Sequence, residues 1–552
     1  MHTFSRRQFL KSSFAISGSL LLLPSCGSPR KDEEGNKYVI AQTTYGKVRG
    51  IRQDGVNIYK GIPYAGSVYG QYRFARPATL EEWPGVRDAL RLGTPAMQLK
   101  SSVYGIDEPD PGEDCLFLNI WTPANDNVKR PVMFYNHGGG YATGSGGSVA
   151  QDGANLARYF DVVVVETNHR LNIFGYLYLG EMAGNDYNSS GNNGLLDIVD
   201  GLKWVHDNLA EFGGDPNNVM IWGESGGGMK TSCLYSMECA APYFHKASIE
   251  SGPCISVGSV ENAAMVTELL LKTLDIEKKN WRTLFDVPTQ RMYESINELY
   301  IKAAEERANG GPDIKVSFSP ILDGVVMNRH PFADGAPDIS KDKPLIVGWN
   351  EDEYAFFVMT GGDVEALNLD ETEYKGLEKY FEPLFGEKTK RIIETYRKSR
   401  PDATPANIWM EVMSVTMMGN GSIKIAEAKA KQGGASAYLY NFGYKSEVII
   451  PGTNYPLGTP HAMDIPFKFN NVRKGNPSEG GMAGERVEKY QASLNFAELW
   501  TTFALVGKPG GKELPEWEPY NLITRPLMRI DSTCDLIYDR YPEERTLWSS
   551  IG

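Results

Sequence analysis

Ser225 lies at the centre of a Gly-x-Ser-x-Gly pattern, residues 223–227, which can present a serine as a nucleophile. Such a serine transfers acyl groups when a base removes its proton, an acid orients the base, and N–H groups bind the developing oxyanion. The pattern also arises by chance in chains rich in glycine, and this chain contains 58 glycines. The pattern alone therefore leaves an ordinary turn open as an alternative.

The sequence around Ser225 favours the nucleophile. Residues 219–222 (Val-Met-Ile-Trp) predict a short buried strand, and residues 230–237 predict the beginning of a helix. A serine on the sharp turn between them would be exposed at the carboxyl edge of a parallel sheet. Its small neighbours permit the strained backbone that this turn requires.

His461 is the predicted base. In an α/β-hydrolase the chain order is serine, acid, histidine, and three of the seven histidines follow Ser225, namely His245, His330 and His461. His245 follows too closely to come after an acid, and His330 lies in a turn-like segment. His461 lies in a loop beyond the strand-like residues 437–441, which is where the base of this order belongs.

The acid should follow a buried strand between Ser225 and His461. Residues 344–349 predict such a strand, and it leads directly into three carboxylates, Glu351, Asp352 and Glu353. Two of them are expected to belong to a solvated acidic turn. Spacing alone does not choose among the three.

An oxyanion site is predicted after the apolar strand at residues 131–136. The strand ends in His-Gly-Gly-Gly-Tyr, residues 137–141, where glycine lets backbone N–H groups approach a substrate closely. The turn itself would add the N–H of Gly226. A glycine-rich loop can also hold phosphate, but no Gly-Lys-Ser/Thr follows this one.

These segments resemble the type-B carboxylesterases, the carboxylesterase/cholinesterase group of α/β-hydrolases. The resemblance runs from about residue 38 to the C-terminus and is strongest from 112 to 252. It is carried by the pattern around Ser225 and by residues 59–65, 83–89, 112–121, 137–141, 168–171, 191–195 and 212–216.

The resemblance implies site residues. Residues 350–357 are similar to the family's segment ending Asp-Glu-x-x-Phe-Phe, which makes Glu353 the acid. The implied set is a triad of Ser225, Glu353 and His461, with oxyanion donors at Gly139, Gly140 and Gly226. Phe318 and Val316 would fall in the acyl pocket, with ordinary core packing as an equal alternative for Phe318.

Some residues depart from the family pattern. Met97 stands where members with a small loop carry a cysteine, so Cys115 is expected to lack that disulfide partner. The stretch between them has no tryptophan, so the resemblance does not extend to choline esters. Gly226 and Ile198 replace the usual alanine and glutamine, which is typical of a bacterial branch.

The predicted function is hydrolysis of a small-molecule carboxylic ester through an acyl-enzyme on Ser225. Amidase or thioesterase activity would use the same residues and stays open. A non-catalytic binding or adhesion protein on the same fold is a further alternative, but such relatives typically lack a triad member. No pattern predicts a metal or cofactor site.

Composition fits one large enzyme domain. Residues 38–552 alternate predicted strands and helices without a linker, which predicts a single α/β-hydrolase domain with a mostly parallel central sheet flanked by helices. Charged, helix-periodic segments at about 262–310 and 370–433 predict helical insertions around the pocket. The net charge of −13, without basic stripes, excludes a nucleic-acid partner.

The N-terminus predicts export. Residues 1–25 carry a twin arginine, Arg6-Arg7, and then a ten-residue apolar run that is too short to span a bilayer. Residues 23–26 (Leu-Pro-Ser-Cys) resemble a lipobox in which Cys26 would carry a lipid anchor, with ordinary signal cleavage as the alternative. Residues 26–37 predict a polar tether. The expected location is the periplasm or a membrane surface, including one that faces outward.

Overall fold

The structure is a computed structural model that describes residues 37–99, 108–369, 374–473 and 481–551. The predicted signal peptide of residues 1–25 and the predicted lipidation site Cys26 lie outside these ranges. Of the predicted tether at 26–37, only Lys37 is described, and it begins the first strand.

Strands and helices alternate along the described chain. The strands are β1 (Lys37–Thr43), β2 (Gly46–Gln53), β3 (Val56–Pro63), β4 (Val86–Asp88), β5 (Phe117–Thr122), β6 (Arg130–Asn136), β7 (Val163–Thr167), β8 (Gly214–Glu224), β9 (Lys246–Glu250), β10 (Leu345–Asn350), β11 (Ala437–Phe442), β12 (Ser446–Ile449), β13 (Pro456–Gly458), β14 (Pro526–Ile530) and β15 (Asp535–Tyr538).

The α-helices cover both faces and one rim of the sheet. They are α1 (Ala154–Phe160), α2 (Asn172–Tyr176), α3 (Gly180–Ala183), α4 (Asn193–Asn208), α5 (Gly226–Ser236), α6 (Val260–Thr273), α7 (Thr289–Ala308), α8 (Tyr354–Met359), α9 (Glu378–Phe385), α10 (Thr389–Ser399), α11 (Pro405–Ser414), α12 (Asn420–Gln432), α13 (Asp464–Lys468), α14 (Glu488–Val506) and α15 (Pro542–Ile551).

The main sheet has the strand order β1-β2-β3-β5-β7-β6-β8-β9-β10-β11-β14-β15, with β4 paired to β2. Its centre, from β7 to β14, is parallel. The strands toward both edges pair antiparallel. Parallel strands need crossover connections, and the helices in those crossovers cover both faces of the sheet. This arrangement confirms the predicted fold class.

Burial on both faces explains why the central strands are continuous apolar runs. Every residue of β6, β7, β9, β10 and β11 is buried. Along β6, Val132 and Phe134 face the layer of α4, α5 and α12, whereas Met133 and Tyr135 face the layer of α1 and α14. The two-residue period of a strand thus divides one hydrophobic run between two cores.

Two further helical groups lie beside the sheet layers. One packs α8, α9, α10, α11 and α15 together, and the other packs α2, α6 and α7 together. They include most of the predicted insertions at 262–310 and 370–433. Helix α12 differs, because it packs directly against β10 and β11 as part of the sheet's own helical layer. Within the described ranges, no helix combines the length and the apolar content needed to cross a bilayer.

Two buried ion pairs fix the loops beyond the sheet. Arg170, which follows β7, makes two hydrogen bonds of 2.7 and 2.8 Å to the carboxylate of Asp197 on α4. Arg73 does the same with Glu113, at 2.6 and 2.8 Å. Paired geometry of this kind offsets the cost of burying the charges, and it specifies where the loops lie.

Candidate functional site

Ser225 occupies a strained turn between β8 and α5. Its φ of 59° and ψ of −123° lie in a region that residues with a side chain rarely adopt. The turn needs its flanking glycines, because a Cβ on Gly227 would lie 1.9 Å from the Asn136 carbonyl oxygen. The Ser225 N–H donates to the carbonyl of Glu250 at the end of β9, at 2.9 Å. These contacts hold the serine at the carboxyl edge of the sheet, as the sequence predicts.

His461 lies against Ser225 from the loop between β13 and α13. Its Nε2 is 2.8 Å from the Ser225 Oγ, and its Nδ1 is 2.6 Å from the Glu353 Oε2. The other Glu353 oxygen accepts a 2.7 Å hydrogen bond from the Asn350 N–H. Since a carboxylate only accepts, Nδ1 donates to Glu353 and Nε2 is left to accept from the serine hydroxyl.

The two neighbouring carboxylates point elsewhere. Asp352 accepts from the Thr459 N–H at 2.7 Å and pairs with Lys445 at 2.5 Å. Glu351 pairs with three cations, Lys445, Arg529 and Arg540, at 2.8–3.0 Å. Of the three carboxylates that spacing left open, only Glu353 contacts the imidazole.

The glycine loop after β6 lies beside the serine. A Cβ on Gly138 would be 3.6 Å from the Ser225 Cβ, and one on Gly226 would be 2.3 Å from the Gly140 nitrogen. Gly139 and Gly140 have φ values of 81° and 63°, which favour glycine. The close approach explains why this chain has glycine at 226, because an alanine methyl would collide with the loop in its present position.

The N–H groups of Gly139 and Gly140 donate no hydrogen bond to any described residue, whereas the nearby carbonyls are occupied. The Gly138 carbonyl lies 2.9 Å from the His137 Nδ1. The Gly139 carbonyl accepts from the N–H groups of Ala142 and Thr143 at 3.2 and 3.1 Å. Free N–H groups next to a serine are what an oxyanion site requires.

A second carboxylate, Glu224, faces the same imidazole. Its Oε1 lies 3.4 Å from the His461 Nδ1 and accepts from the Ala462 N–H at 3.1 Å. Burial raises the pKa of Glu224 to about 8. Burial alone would lower the pKa of His461, but the carboxylates of Glu224 and Glu353 outweigh it and raise that pKa to about 9. The imidazolium form of His461 is thus stabilised by two buried carboxylates.

A buried cation balances the carboxylates behind the histidine. The Lys468 ammonium contacts Glu250 and, at 2.5 Å, Asp464. Asp464 also accepts from the Asn350 Nδ2 at 3.1 Å, next to the backbone N–H that holds Glu353. The cluster thereby connects the acid, the base loop and β9 through satisfied charges.

Sequence reasoning missed Glu224, Lys468 and a third buried group, Lys230. Glu224 is the variable residue before the serine, and its position inside the pattern is the only sequence signal it has. Lys230 on α5 is fully buried, and its Nζ donates to the His137 carbonyl at 3.0 Å. Burial lowers the pKa of this lysine to about 7.

The predicted pocket residues pack among the helices beside the sheet. Phe318 is half-buried and packs against both the main core and the group of α2, α6 and α7, and Val316 packs against the latter group. Core packing predicts the same contacts, so a substrate-contacting role for both residues stays a prediction. Phe356 and Phe357, which end the segment that made Glu353 the implied acid, have ring centroids 6.0 and 5.3 Å from that of the His461 ring.

Comparison with known proteins gives a consistent result. Residues 37–546 match the profile described as the carboxylesterase family. The para-nitrobenzyl esterase of Bacillus subtilis is 31% identical over 92% of this chain and 98% of its own length. The phenmedipham hydrolase of Pseudarthrobacter oxydans is 30% identical over 87% of this chain and 92% of its own.

Solved structures agree with the fold. The Geobacillus stearothermophilus carboxylesterase EST55 superposes with a TM-score of 0.77 at 32% identity, covering 92% of this chain and 99% of that one. A Clostridium hathewayi esterase, described as able to hydrolyse aliphatic aromatic polyesters, gives 0.77 at 29% identity over 94% and 100%. With the family profile matching nearly the whole described chain, this protein belongs to the carboxylesterase family and is a serine ester hydrolase.

Proposed function

We propose that the enzyme cleaves carboxylic esters through an acyl-enzyme on Ser225, with His461 as general base and Glu353 as its orienting acid. One observation carries the proposal, the continuous line of hydrogen bonds from the Ser225 Oγ through the His461 ring to Glu353, at 2.8 and 2.6 Å. This is the arrangement by which an imidazole removes a serine proton while a carboxylate stabilises the resulting imidazolium.

The reaction follows from these positions. As Ser225 attacks the ester carbonyl, its proton passes to the His461 Nε2, and the carbonyl oxygen becomes an oxyanion. The free N–H groups of Gly139 and Gly140, with that of Gly226 at the start of α5, stabilise the oxyanion. The imidazolium then protonates the departing alcohol. Water repeats the sequence on the acyl-enzyme and releases the acid.

Glu224 adjusts the base. A second carboxylate 3.4 Å from Nδ1 favours the imidazolium that forms in the transition state. It also favours the imidazolium in the resting enzyme, where a protonated histidine cannot accept the serine proton. The proposed result is a histidine base that becomes active at a higher pH than an ordinary histidine does.

The substrate class is a small-molecule ester, in keeping with the hydrolase names of the relatives. An amidase or thioesterase would use the same residues, and turnover of paired ester, amide and thioester substrates with one acyl group distinguishes them. A binding-only role is disfavoured, because such relatives lack a triad residue and this chain brings all three together.

We further propose that the enzyme is exported and held at a membrane by a lipid on Cys26. The support is the order of three sequence features: the twin arginine, the short apolar run and the Leu-Pro-Ser-Cys box. A lipidated cysteine that carries more than one acyl chain would anchor the enzyme stably.

Ser225→Ala should lower kcat by about 10⁴–10⁶-fold, because the members of a triad act as a unit. A fluorophosphonate probe followed by peptide mass mapping should label Ser225 alone in the native enzyme. Ser550→Ala, at an exposed position on α15, is the matched control and should change neither activity nor labelling. Label on another serine of active enzyme would disprove the assignment.

Glu353→Gln should keep the fold but reduce kcat by about 10⁴-fold, by analogy with the aspartate-to-asparagine change in a serine protease triad. The amide cannot hold the imidazolium or select its tautomer. Asp352→Asn is the control, since Asp352 contacts Thr459 and Lys445 and not the histidine. If Asp352→Asn proves the more damaging change in steady-state assays, the acid has been misassigned.

The pH profile of kcat/KM for a small activated ester should fall on the acid side, with a midpoint above the ordinary histidine value of about 6.5. The sign follows because a raised pKa keeps His461 protonated, and inactive as a base, to higher pH. Glu224→Gln removes the negative charge that lies beside the imidazolium and stabilises it. This variant should therefore move the midpoint to lower pH.

The matched control for that shift is Glu211→Gln, at an exposed carboxylate remote from the base, which should leave the midpoint in place. A profile that is flat from about pH 5 to 8 would speak against a histidine base. An unchanged midpoint in Glu224→Gln would speak against the role given to Glu224.

Cys26→Ser should release the enzyme from the membrane fraction into the soluble periplasmic fraction with kcat unchanged. The reason is that the anchor precedes β1 and the predicted domain. Intact-mass analysis of the mature N-terminus provides the direct measurement, and a diacyl- or triacyl-cysteine at 26 is expected. An unmodified N-terminus at a later residue would show that the signal is simply cleaved, and it would contradict the proposed anchor.

A further inference from the structure

Lys230 carries a buried amino group that has no counter-ion among the described residues. It lies on α5, five positions beyond Ser225, and is 0% exposed. Among the described residues, no carboxylate lies within ion-pair distance of it, and its one hydrogen bond goes to the carbonyl oxygen of His137, at 3.0 Å. Burying an unpaired cation is costly, so its position beside the site calls for an explanation.

The acceptor of that bond begins the glycine loop. His137 directly precedes Gly138, and the imidazole ring of His137 is held on three sides. It stacks on His169 with centroids 4.5 Å apart, its Nδ1 bonds the Gly138 carbonyl, and the Gly144 backbone closes over it. Burial and the Lys230 charge lower the pKa of both His137 and His169.

Because each peptide is planar, a contact that fixes a carbonyl also fixes the direction of the N–H in the same peptide. In a trans peptide, the C=O of one residue and the N–H of the next point in opposite directions. Lys230 holds the His137 carbonyl, His137 holds the Gly138 carbonyl, and Ala142 and Thr143 hold the Gly139 carbonyl. The N–H groups that follow belong to Gly138, Gly139 and Gly140 in that order, and each points away from the donor that holds the preceding carbonyl. Lys230 therefore sets the Gly138 N–H directly, and it acts on the free N–H groups of Gly139 and Gly140 only through this first peptide.

We propose that Lys230 is a positioning residue for ester hydrolysis, which anchors the first peptide of the glycine loop and thereby the start of the segment that carries the oxyanion-binding N–H groups. Because Ser225 directly precedes helix α5 and Lys230 lies on its second turn, one rigid element positions both the serine and the loop that would stabilise the oxyanion. The inference rests on the proposed oxyanion site at Gly139, Gly140 and Gly226.

The test compares Lys230→Met with the native enzyme. Met keeps a similar length but donates no hydrogen bond, so the loop peptide is free to rotate. We expect kcat to fall by about 10–100-fold, below the loss found when an oxyanion donor itself is removed. KM should stay within about twofold, because the loop acts on the transition state and not on bound ester. An aryl trifluoromethyl ketone, whose serine adduct carries an oxyanion, should inhibit more weakly by a factor similar to the loss in kcat.

Two further variants separate positioning from a general loss of packing. Lys230→Gln keeps a shorter N–H donor and should recover part of both kcat and inhibitor affinity. Lys429→Met removes another buried ammonium, which donates to the carbonyls of Ser340 and Lys341 away from the site, and should lower Tm while kcat and inhibition stay unchanged.

The outcomes distinguish this inference from the function on which it rests. Native enzyme that resists both the ketone and the fluorophosphonate would overturn the proposed function itself. Native enzyme that is inhibited, with unchanged kcat and inhibition in folded Lys230→Met, would overturn the role of Lys230 alone. Equal loss of kcat in Lys429→Met, or lost kcat in both Lys230 variants with full inhibitor affinity, would also overturn it.

Discussion

The turn at Ser225 is the constraint on which the rest of the site depends. The positive φ of Ser225, directly after β8, is a strained conformation that persists only where surrounding contacts exclude a relaxed one. Here the Asn136 carbonyl presses on Gly227, the Gly140 backbone presses on Gly226, and the Glu250 carbonyl holds the serine N–H. Strands β6 and β9, on the two sides of β8, thus fix the position of the proposed nucleophile.

Electrostatics around the base are collective. His461 is surrounded by Glu224, Glu353 and, farther back, Asp464 and Glu250, with Lys468 as the buried counter-charge. Such a cluster is stable only when nearly every member is paired, and removing one member leaves the others uncompensated. The same cluster sets the basicity of the imidazole, so stability and reactivity here have a common origin.

Local patterns predicted much of this molecule. The strand before Ser225, the strand before Glu353 and the glycine loop after β6 are all present, because apolar runs bounded by glycine-rich or acidic turns specify buried parallel strands with little dependence on context. Chain order then selected His461 from three histidines. Spacing could not separate Glu351, Asp352 and Glu353, since adjacent residues in a turn differ only in direction, and their directions depend on Lys445, Arg529 and Arg540 far along the chain.

Sequence pattern alone therefore predicted the family, and it pointed to Ser225 and His461 as the proposed nucleophile and base, because a short local motif marks the serine and chain order marks the histidine. The roles of Glu224, Lys468 and Lys230 became visible only in three dimensions. Glu224 meets His461 across 237 positions of the chain and accepts from the Ala462 N–H across 238 positions. Lys468 meets Glu250 across 218 positions. The pKa and the partner of a buried charged group depend on the residues that tertiary packing brings around it, and no local sequence pattern encodes either.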